Sequence, residues 1–118
     1  MKKLIIVTGG CGFVGFNLIQ YFLKHTNFKI ISLDDYSSGS KKNHIKDKRV
    51  KYFSGHTKDI NKILANYKSK INSIFHFGEF SRIYQSFVQM NKCIESNTIG
   101  SNAVFNFCLE NKIKLIYS

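Results

Sequence analysis

The feature that most restricts this chain is Thr8-Gly9-Gly10-Cys11-Gly12-Phe13-Val14-Gly15, a glycine-rich turn set directly after the apolar run Leu4-Ile5-Ile6-Val7. An unbroken β-branched run without polar alternation fits a strand covered on both faces, as in a parallel sheet. Past the turn, Val14, Leu18, Ile19, Tyr21 and Phe22 recur near helical spacing as far as Lys24. Gly10-x-Gly12-x-x-Gly15 therefore has the strand–turn–helix context in which glycines cradle a pyrophosphate. The first glycines make the turn tight, Gly12 lets backbone N–H groups approach an anion, and Gly15 lets the helix pack close to the strand. A helix N-terminus adds unpaired amides and a favourable dipole. On its own the same octet is also consistent with a plain tight turn.

A second feature selects between these readings. Phe28-Lys-Ile-Ile-Ser-Leu33 reads as the next strand and stops at Asp34-Asp35, with Asp34 19 residues after Gly15. That is close to the ~20-residue offset of a carboxylate that binds the adenosine ribose hydroxyls. Asp34, where the strand ends, is the better candidate, and a carboxylate there repels a 2′-phosphate, which favours NAD over NADP. Turn and carboxylate together point to dinucleotide binding.

The rest of the chain continues the alternation. The polar stretch from Tyr36 to Arg49 reads as loop with one helical turn. Val50-Lys-Tyr-Phe53 is a third strand, and Ile60, Ile63, Leu64 and Tyr67 mark a second helix. Ser73-Ile-Phe-His-Phe77 is a fourth strand, a long helix runs from Cys93 to Cys108 with an interruption at Gly100, and Lys114-Leu-Ile-Tyr117 is a fifth strand. Strands alternating with helices across short connections indicate an α/β fold of right-handed βαβ units on a parallel sheet. His76, on a buried strand without a metal-spaced partner, is read as a hydrogen-bonded sheet histidine. Cys11 is read as a small filler between glycines in preference to a reactive thiol at a helix N-terminus.

Composition decides less. The formal charge is +11, with 18 Lys+Arg against 7 Asp+Glu, which raises nucleic acid as a partner. Only Arg49 and Arg82 carry the guanidinium that base and phosphate recognition favours, and the lysines are spread from Lys2 to Lys114. Lys, Asn, Ile, Phe and Tyr fill 59 of 118 positions, a bias that an A/T-rich coding sequence produces by itself. The expectation is no nucleic acid and no membrane partner, since no segment approaches the ~18 apolar residues of a span. Cys11, Cys93 and Cys108 are odd in number and widely spaced, which argues against a disulfide framework or a zinc site and fits free thiols in the cytoplasm.

With these residues placed, the chain resembles the N-terminal part of an extended short-chain dehydrogenase/reductase, in the family of NAD-dependent nucleotide-sugar epimerases and dehydratases of the UDP-glucose 4-epimerase type. Thr8-Gly9-Gly10-x-Gly12-Phe13-Val14-Gly15 resembles the family's T-G-G-x-G-[FY]-[IV]-G, which implies that Phe13 and Val14 lie along the pyrophosphate. Leu33-Asp34-Asp35-Tyr36-Ser37-Ser38-Gly39 is similar to L-D-N-L-S-x-G, implying ribose contact by Asp34 and adenosine-side contacts through Asp35, Ser37, Ser38 and Gly39. Ile74-Phe75-His76-Phe77-Gly78 resembles V-[IF]-H-[FL]-A, where the strand end passes beside the cofactor. Asn97-Thr98-Ile99-Gly100-Ser101 resembles N-V-x-G-T, whose Asn faces the nicotinamide side. The implied fold is a Rossmann-type doubly wound parallel sheet of about five strands in order 3-2-1-4-5, forming one NAD-binding domain over residues 1–118.

Three departures qualify the resemblance. The family's G-D-[IVL] after the third strand, whose Asp bonds the adenine amino group, is here Gly55-His56-Thr57. The family's A-A or A-G after the fourth strand is replaced by Gly78-Glu79-Phe80-Ser81-Arg82, whose Glu79 and Arg82 imply either a different sugar specificity or an internal ion pair. The family's Tyr-x-x-x-Lys, which handles the proton at the sugar hydroxyl, is not present in this chain. The expected cofactor-binding residues are Gly9, Gly12, Phe13, Val14, Gly15, Asp34, Asp35, Ser37, Ser38, Gly39, His56, Thr57, Phe77, Gly78, Glu79, Ser81 and Asn97, with NAD as cofactor. The implied function is NAD binding within a longer protein that acts on a nucleotide sugar and dimerises when complete, with no turnover by this part alone. A stand-alone, non-catalytic dinucleotide-binding module is the alternative, and a basic nucleic-acid-binding domain ranks below both.

Overall fold

The computed structural model describes residues 2–78 and 95–117; the expectations for Glu79, Phe80, Ser81, Arg82 and Cys93 lie outside the described residues. Five strands, β1 (Leu4–Thr8), β2 (Lys29–Asp34), β3 (Val50–Ser54), β4 (Ile71–His76) and β5 (Lys114–Tyr117), form one sheet. All pairs are parallel and the order is β3-β2-β1-β4-β5, as expected. Chain direction across the sheet reverses between β1 and β4, so the carboxyl ends of these two strands flank a switch point where open α/β sheets bind ligands.

Period-two alternation divides the core. Ile5, Val7 and Ile30 pack with Ile19 and Phe22 of α1 (Phe13–His25) on one face. Ile6, Ile31, Leu33, Ile71 and Ile74 pack on the other face with Ile60 of α2 (Ile60–Ile63) and with Val104, Phe107 and Cys108 of α3 (Ser101–Asn111). Burial on both faces is why these strands read as continuous apolar runs.

One expectation needs correction. The helix marked by Ile60, Ile63, Leu64 and Tyr67 is a single α turn between the 3-10 turns Thr57–Asp59 and Ala65–Tyr67. Ile60 and Leu64 are buried in the core all the same, and two anchors suffice to hold so short a piece. The interruption expected at Gly100 takes the form of a change of helix type: Glu95–Gly100 is π-helical and the α-helix begins at Ser101. Its other end is closed by Lys112 in the left-handed region (φ 54), with the Ile113 amide donating to the Cys108 carbonyl at 2.9 Å, an arrangement that usually selects glycine.

Candidate functional site

A cleft of about 320 Å³ opens at the carboxyl ends of β1, β2, β3 and β4. Each strand contributes the residues that follow it. The turn after β1 supplies Gly9, Gly12, Phe13, Val14 and Gly15; β2 and its loop supply Asp34, Asp35, Ser37, Ser38 and Gly39; β3 is followed by His56 and Thr57, and β4 by Phe77 and Gly78. Leu33 and Gly55 also line it although neither was among the expected cofactor-binding residues: Leu33 stands in the apolar run of a strand, and Gly55 was noted only as the glycine before His56.

The glycine turn owes its shape to specific absences. Gly9 has φ +71, a conformation that side chains rarely adopt, and a Cβ there would lie 2.8 Å from the Phe77 carbonyl oxygen. Gly15 sits against the turn itself, its Cβ position 2.2 Å from the Gly9 carbonyl oxygen. Gly12 differs: a Cβ would meet only the Gly9 oxygen, at 3.4 Å, and otherwise faces open space at the cleft wall.

The two ends of α1 are treated unequally. At its C-terminus the Arg49 guanidinium donates to the Leu23 and Thr26 carbonyls, both at 2.7 Å. At its N-terminus Gly12 offers no side-chain cap, and the helical ladder begins with the Phe16 amide donating to Gly12 at 2.9 Å. The amides of Phe13, Val14 and Gly15 therefore have no partner within the helix. Positive dipole and unpaired donors are directed at the cleft, beside Phe13, which is 83% exposed.

The loop after β2 is fastened to this turn through Asp34 and Cys11. Asp34 Oδ2 accepts from the Cys11 amide at 2.9 Å and Oδ1 from the Tyr36 amide at 2.8 Å. The Cys11 carbonyl accepts from the Ser40 amide at 3.2 Å and from Asn43 Nδ2 at 2.7 Å. Asp34 is thus a clasp as well as a cleft residue, a role that spacing alone did not reveal. Each carboxylate oxygen can accept more than one hydrogen bond, so acceptor capacity toward the cleft remains. The Cys11 thiol is fully buried and donates to the Tyr36 hydroxyl oxygen at 3.5 Å. Burial pushes it above its ordinary 9.0 although the Tyr36 contact opposes this, so it is a protonated filler and not a thiolate.

Burial also raises the Asp34 carboxyl above its usual 3.8, against the lowering influence of the Tyr36 and Cys11 amides. A raised pKa in the folded state means that the native chain holds a proton the unfolded chain has lost. The stability Asp34 contributes by this route is fully present below pH 3.8 and is lost as pH rises through the raised native value. An NMR titration of the Asp34 carboxyl carbon should give a midpoint above 3.8; a midpoint at or below it would mean that the two amide bonds outweigh burial.

Residues 5–118 match the NAD dependent epimerase/dehydratase family. The chain belongs to this family. The dTDP-D-glucose 4,6-dehydratase of Dictyostelium discoideum is 32% identical over 117 residues, which span 93% of this chain and 27% of that protein. The UDP-Glc/GlcNAc 4-epimerase of Campylobacter jejuni superimposes with a TM-score of 0.82 at 28% identity, over 98% of this chain and 36% of that one. The epimerase Mth375 of Methanothermobacter thermautotrophicus gives 0.88 at 24% identity, over 98% and 34%. The chain thus spans about a quarter to a third of the length of these relatives.

NAD is the cofactor of the epimerase/dehydratase family, and the cleft has features that suit it. Gly12 leaves space at the wall, the α1 amides supply anion donors, and acidic side chains stand at the end of β2. Among the described residues no Lys or Arg lines the cleft. The cations gather elsewhere: Lys2, Lys3, Lys29, Lys48, Lys51 and Lys70 line a groove at the amino ends of the strands. His56 Nδ1 accepts from the Lys58 amide at 3.0 Å and caps the turn after β3. Beside it the Thr57 hydroxyl is buried and has no hydrogen-bond partner among the described residues, an arrangement that costs roughly 1–3 kcal/mol. Asn97 is exposed on the π-helical segment and does not line the cleft. His76 meets its expectation, fully buried and hydrogen-bonded through both ring nitrogens.

Proposed function

We propose that this chain is the NAD-binding N-terminal part of a nucleotide-sugar epimerase or dehydratase, with residues 1–118 forming one dinucleotide-binding domain. The observation that carries the reading is one cleft lined by every expected residue among the described ones except Asn97. The amides of Phe13, Val14 and Gly15 take the pyrophosphate over Gly12. Asp34 takes the ribose hydroxyls, with Asp35, Ser37, Ser38 and Gly39 along the adenosine; His56 and Thr57 stand at the adenine end. Phe77 and Gly78 flank the middle of the cofactor, Asn97 belongs to the nicotinamide side, and Glu79 and Ser81 are further cofactor-binding residues. Bound NAD supplies the hydride acceptor and donor for a sugar carbon.

No Tyr-x-x-x-Lys occurs among the 118 residues, so this part binds without turnover by itself. In the longer protein, further elements cover Leu109 and Tyr117, which are 79% and 51% exposed here, a nucleotide sugar is the substrate and a homodimer is the assembly. Free Cys11 and Cys108 suit a cytoplasmic location, and among the described residues no helix is long and apolar enough to cross a membrane.

Thermal melting with added NAD tests the reading. At 100 times its Kd a ligand specific for the native state stabilises by ~2.7 kcal/mol, a rise in Tm of roughly 10 °C for a domain of this size. NADP should give a smaller rise, because its 2′-phosphate would face Asp34 and Asp35. No shift at millimolar NAD would sink the proposal.

A further inference from the structure

Thr8 and His76 are opposite each other in the β1–β4 register, and Ser101 is the first residue of α3. All three side chains are at least 97% buried on the α3 side of the sheet. Thr8 Oγ1 lies 2.6 Å from His76 Nδ1, and His76 Nε2 lies 2.9 Å from Ser101 Oγ. The same threonine oxygen accepts from the Phe77 amide at 3.0 Å and the Gly78 amide at 2.9 Å. A hydroxyl has two acceptor sites and one proton. With two amides on its acceptor side, Thr8 directs its proton to His76 Nδ1. That nitrogen is then unprotonated, the ring proton sits on Nε2, and His76 donates to Ser101. The order of donors runs one way, from the Phe77 and Gly78 amides through Thr8 and His76 to α3.

We infer that Thr8, His76 and Ser101 are positioning residues of the cofactor cleft, a buried relay that holds the Phe77–Gly78 wall against the glycine turn and ties its place to α3. This rests on the NAD-binding reading. Phe77 and Gly78 line the cleft, whereas Thr8, His76 and Ser101 do not. The wall has little slack: Gly9 approaches the Phe77 carbonyl and Gly78 approaches Thr8, with Cβ positions 2.8 Å and 3.0 Å from those oxygens. Ring packing restricts His76 further, since it stacks on Tyr117 at 5.7 Å between centroids and meets the edge of Phe105 at 6.5 Å. Without the Thr8 hydroxyl, the hydrogen bond left to the Phe77–Gly78 turn among the described residues is that of the Phe77 amide to the Thr8 carbonyl, at 3.1 Å.

The test separates wall position from general stability. Thr8→Val keeps the shape and removes the hydroxyl, Thr8→Ser keeps the hydroxyl, and Ser101→Ala removes the far end of the relay. Isothermal titration should show NAD binding about tenfold weaker in Thr8→Val and several-fold weaker in Ser101→Ala, the scale of one lost buried hydrogen bond. Thr8→Ser should restore wild-type affinity. In the wild type, 15N NMR of the His76 ring should show an unprotonated Nδ1 and a protonated Nε2. Thr8→Val and Ser101→Ala proteins that melt earlier but bind NAD within about twofold of wild type would overturn the positioning role, as would a protonated Nδ1 overturn the donor order. If the wild type itself binds no NAD, the function proposed above fails and the positioning role fails with it, while the ring tautomer is still decided by NMR.

Discussion

Gly15→Val is expected to remove the folded state at 25 °C, or to leave it with a Tm at least ~20 °C lower. The added Cβ would lie 2.2 Å from the Gly9 carbonyl oxygen, 2.7 Å from Gly10 Cα and 2.9 Å from the Gly9 carbonyl carbon. All three are backbone atoms, so no side-chain rotation relieves them. The turn cannot retreat, because the Gly9 amide donates to the Leu33 carbonyl at 2.8 Å and Gly10 is already in contact with Ser32. Relief must come from α1 moving off the sheet, which separates Ile19 and Phe22 from Ile5, Val7 and Ile30. Each of these loses the ~1.5–3 kcal/mol that burial of such a side chain contributes, against a total stability of about 5–15 kcal/mol for an ordinary domain. Circular dichroism melting decides it. A cooperative transition within about 5 °C of wild type would mean that the helix and turn can part at small cost, and that Gly15 is not the point of closest approach.

The fold was readable from the sequence where one physical signal dominated. Leu4–Val7 and the buried middles of β2 and β4 announce themselves because burial on both faces leaves few polar positions to blur the pattern, whereas Lys114–Tyr117 is legible from its short apolar run although its two end residues are exposed. The glycine turn was readable for the opposite reason, since side chains are missing where backbone approaches backbone. Position Ile60–Tyr67 misled because two buried anchors, Ile60 and Leu64, have helical spacing whether or not a helix continues past them. Gly100 was a visible break, but its consequence, a π-helical segment before α3, depends on packing that spacing does not carry.

In the candidate site, sequence offsets located the carboxylate pair but not what each carboxylate does. Asp34 is 7% exposed and binds two amides, while Asp35 is exposed and accepts from the Ser37 amide at 2.9 Å. The clasp through the Cys11 backbone links residues 23 to 32 positions apart, and nothing local marks such a contact. The same holds for the Thr8–His76–Ser101 chain, which joins residues 68 and 25 positions apart. Arg49, noted in the sequence only as one of two arginines, is engaged with the Leu23 and Thr26 carbonyls at the end of α1 and lies 3.5 Å from Asp47.

Gly12→Val should do the reverse of Gly15→Val, abolishing NAD binding in a protein that melts normally. Gly12 has φ −81 and ψ 176, an extended conformation open to any residue, so valine introduces no backbone strain. Its Cβ would make one ordinary contact, 3.4 Å from the Gly9 carbonyl oxygen. Loss of glycine freedom in the unfolded chain even favours the variant by roughly 0.4–1 kcal/mol. The two branches of valine, however, extend into the space beside the Phe13, Val14 and Gly15 amides, where a pyrophosphate would have to sit. A phosphate oxygen needs to come within ~3 Å of an amide nitrogen to accept its proton, and a valine at the N-cap holds it farther away. Melting with and without NAD therefore gives a paired readout: an unchanged Tm in the absence of ligand, and no rise on adding it. Retention of the wild-type NAD shift in Gly12→Val would place the dinucleotide elsewhere on the protein, and a large fall in unliganded Tm would show that Gly12, like Gly15, is there for the fold.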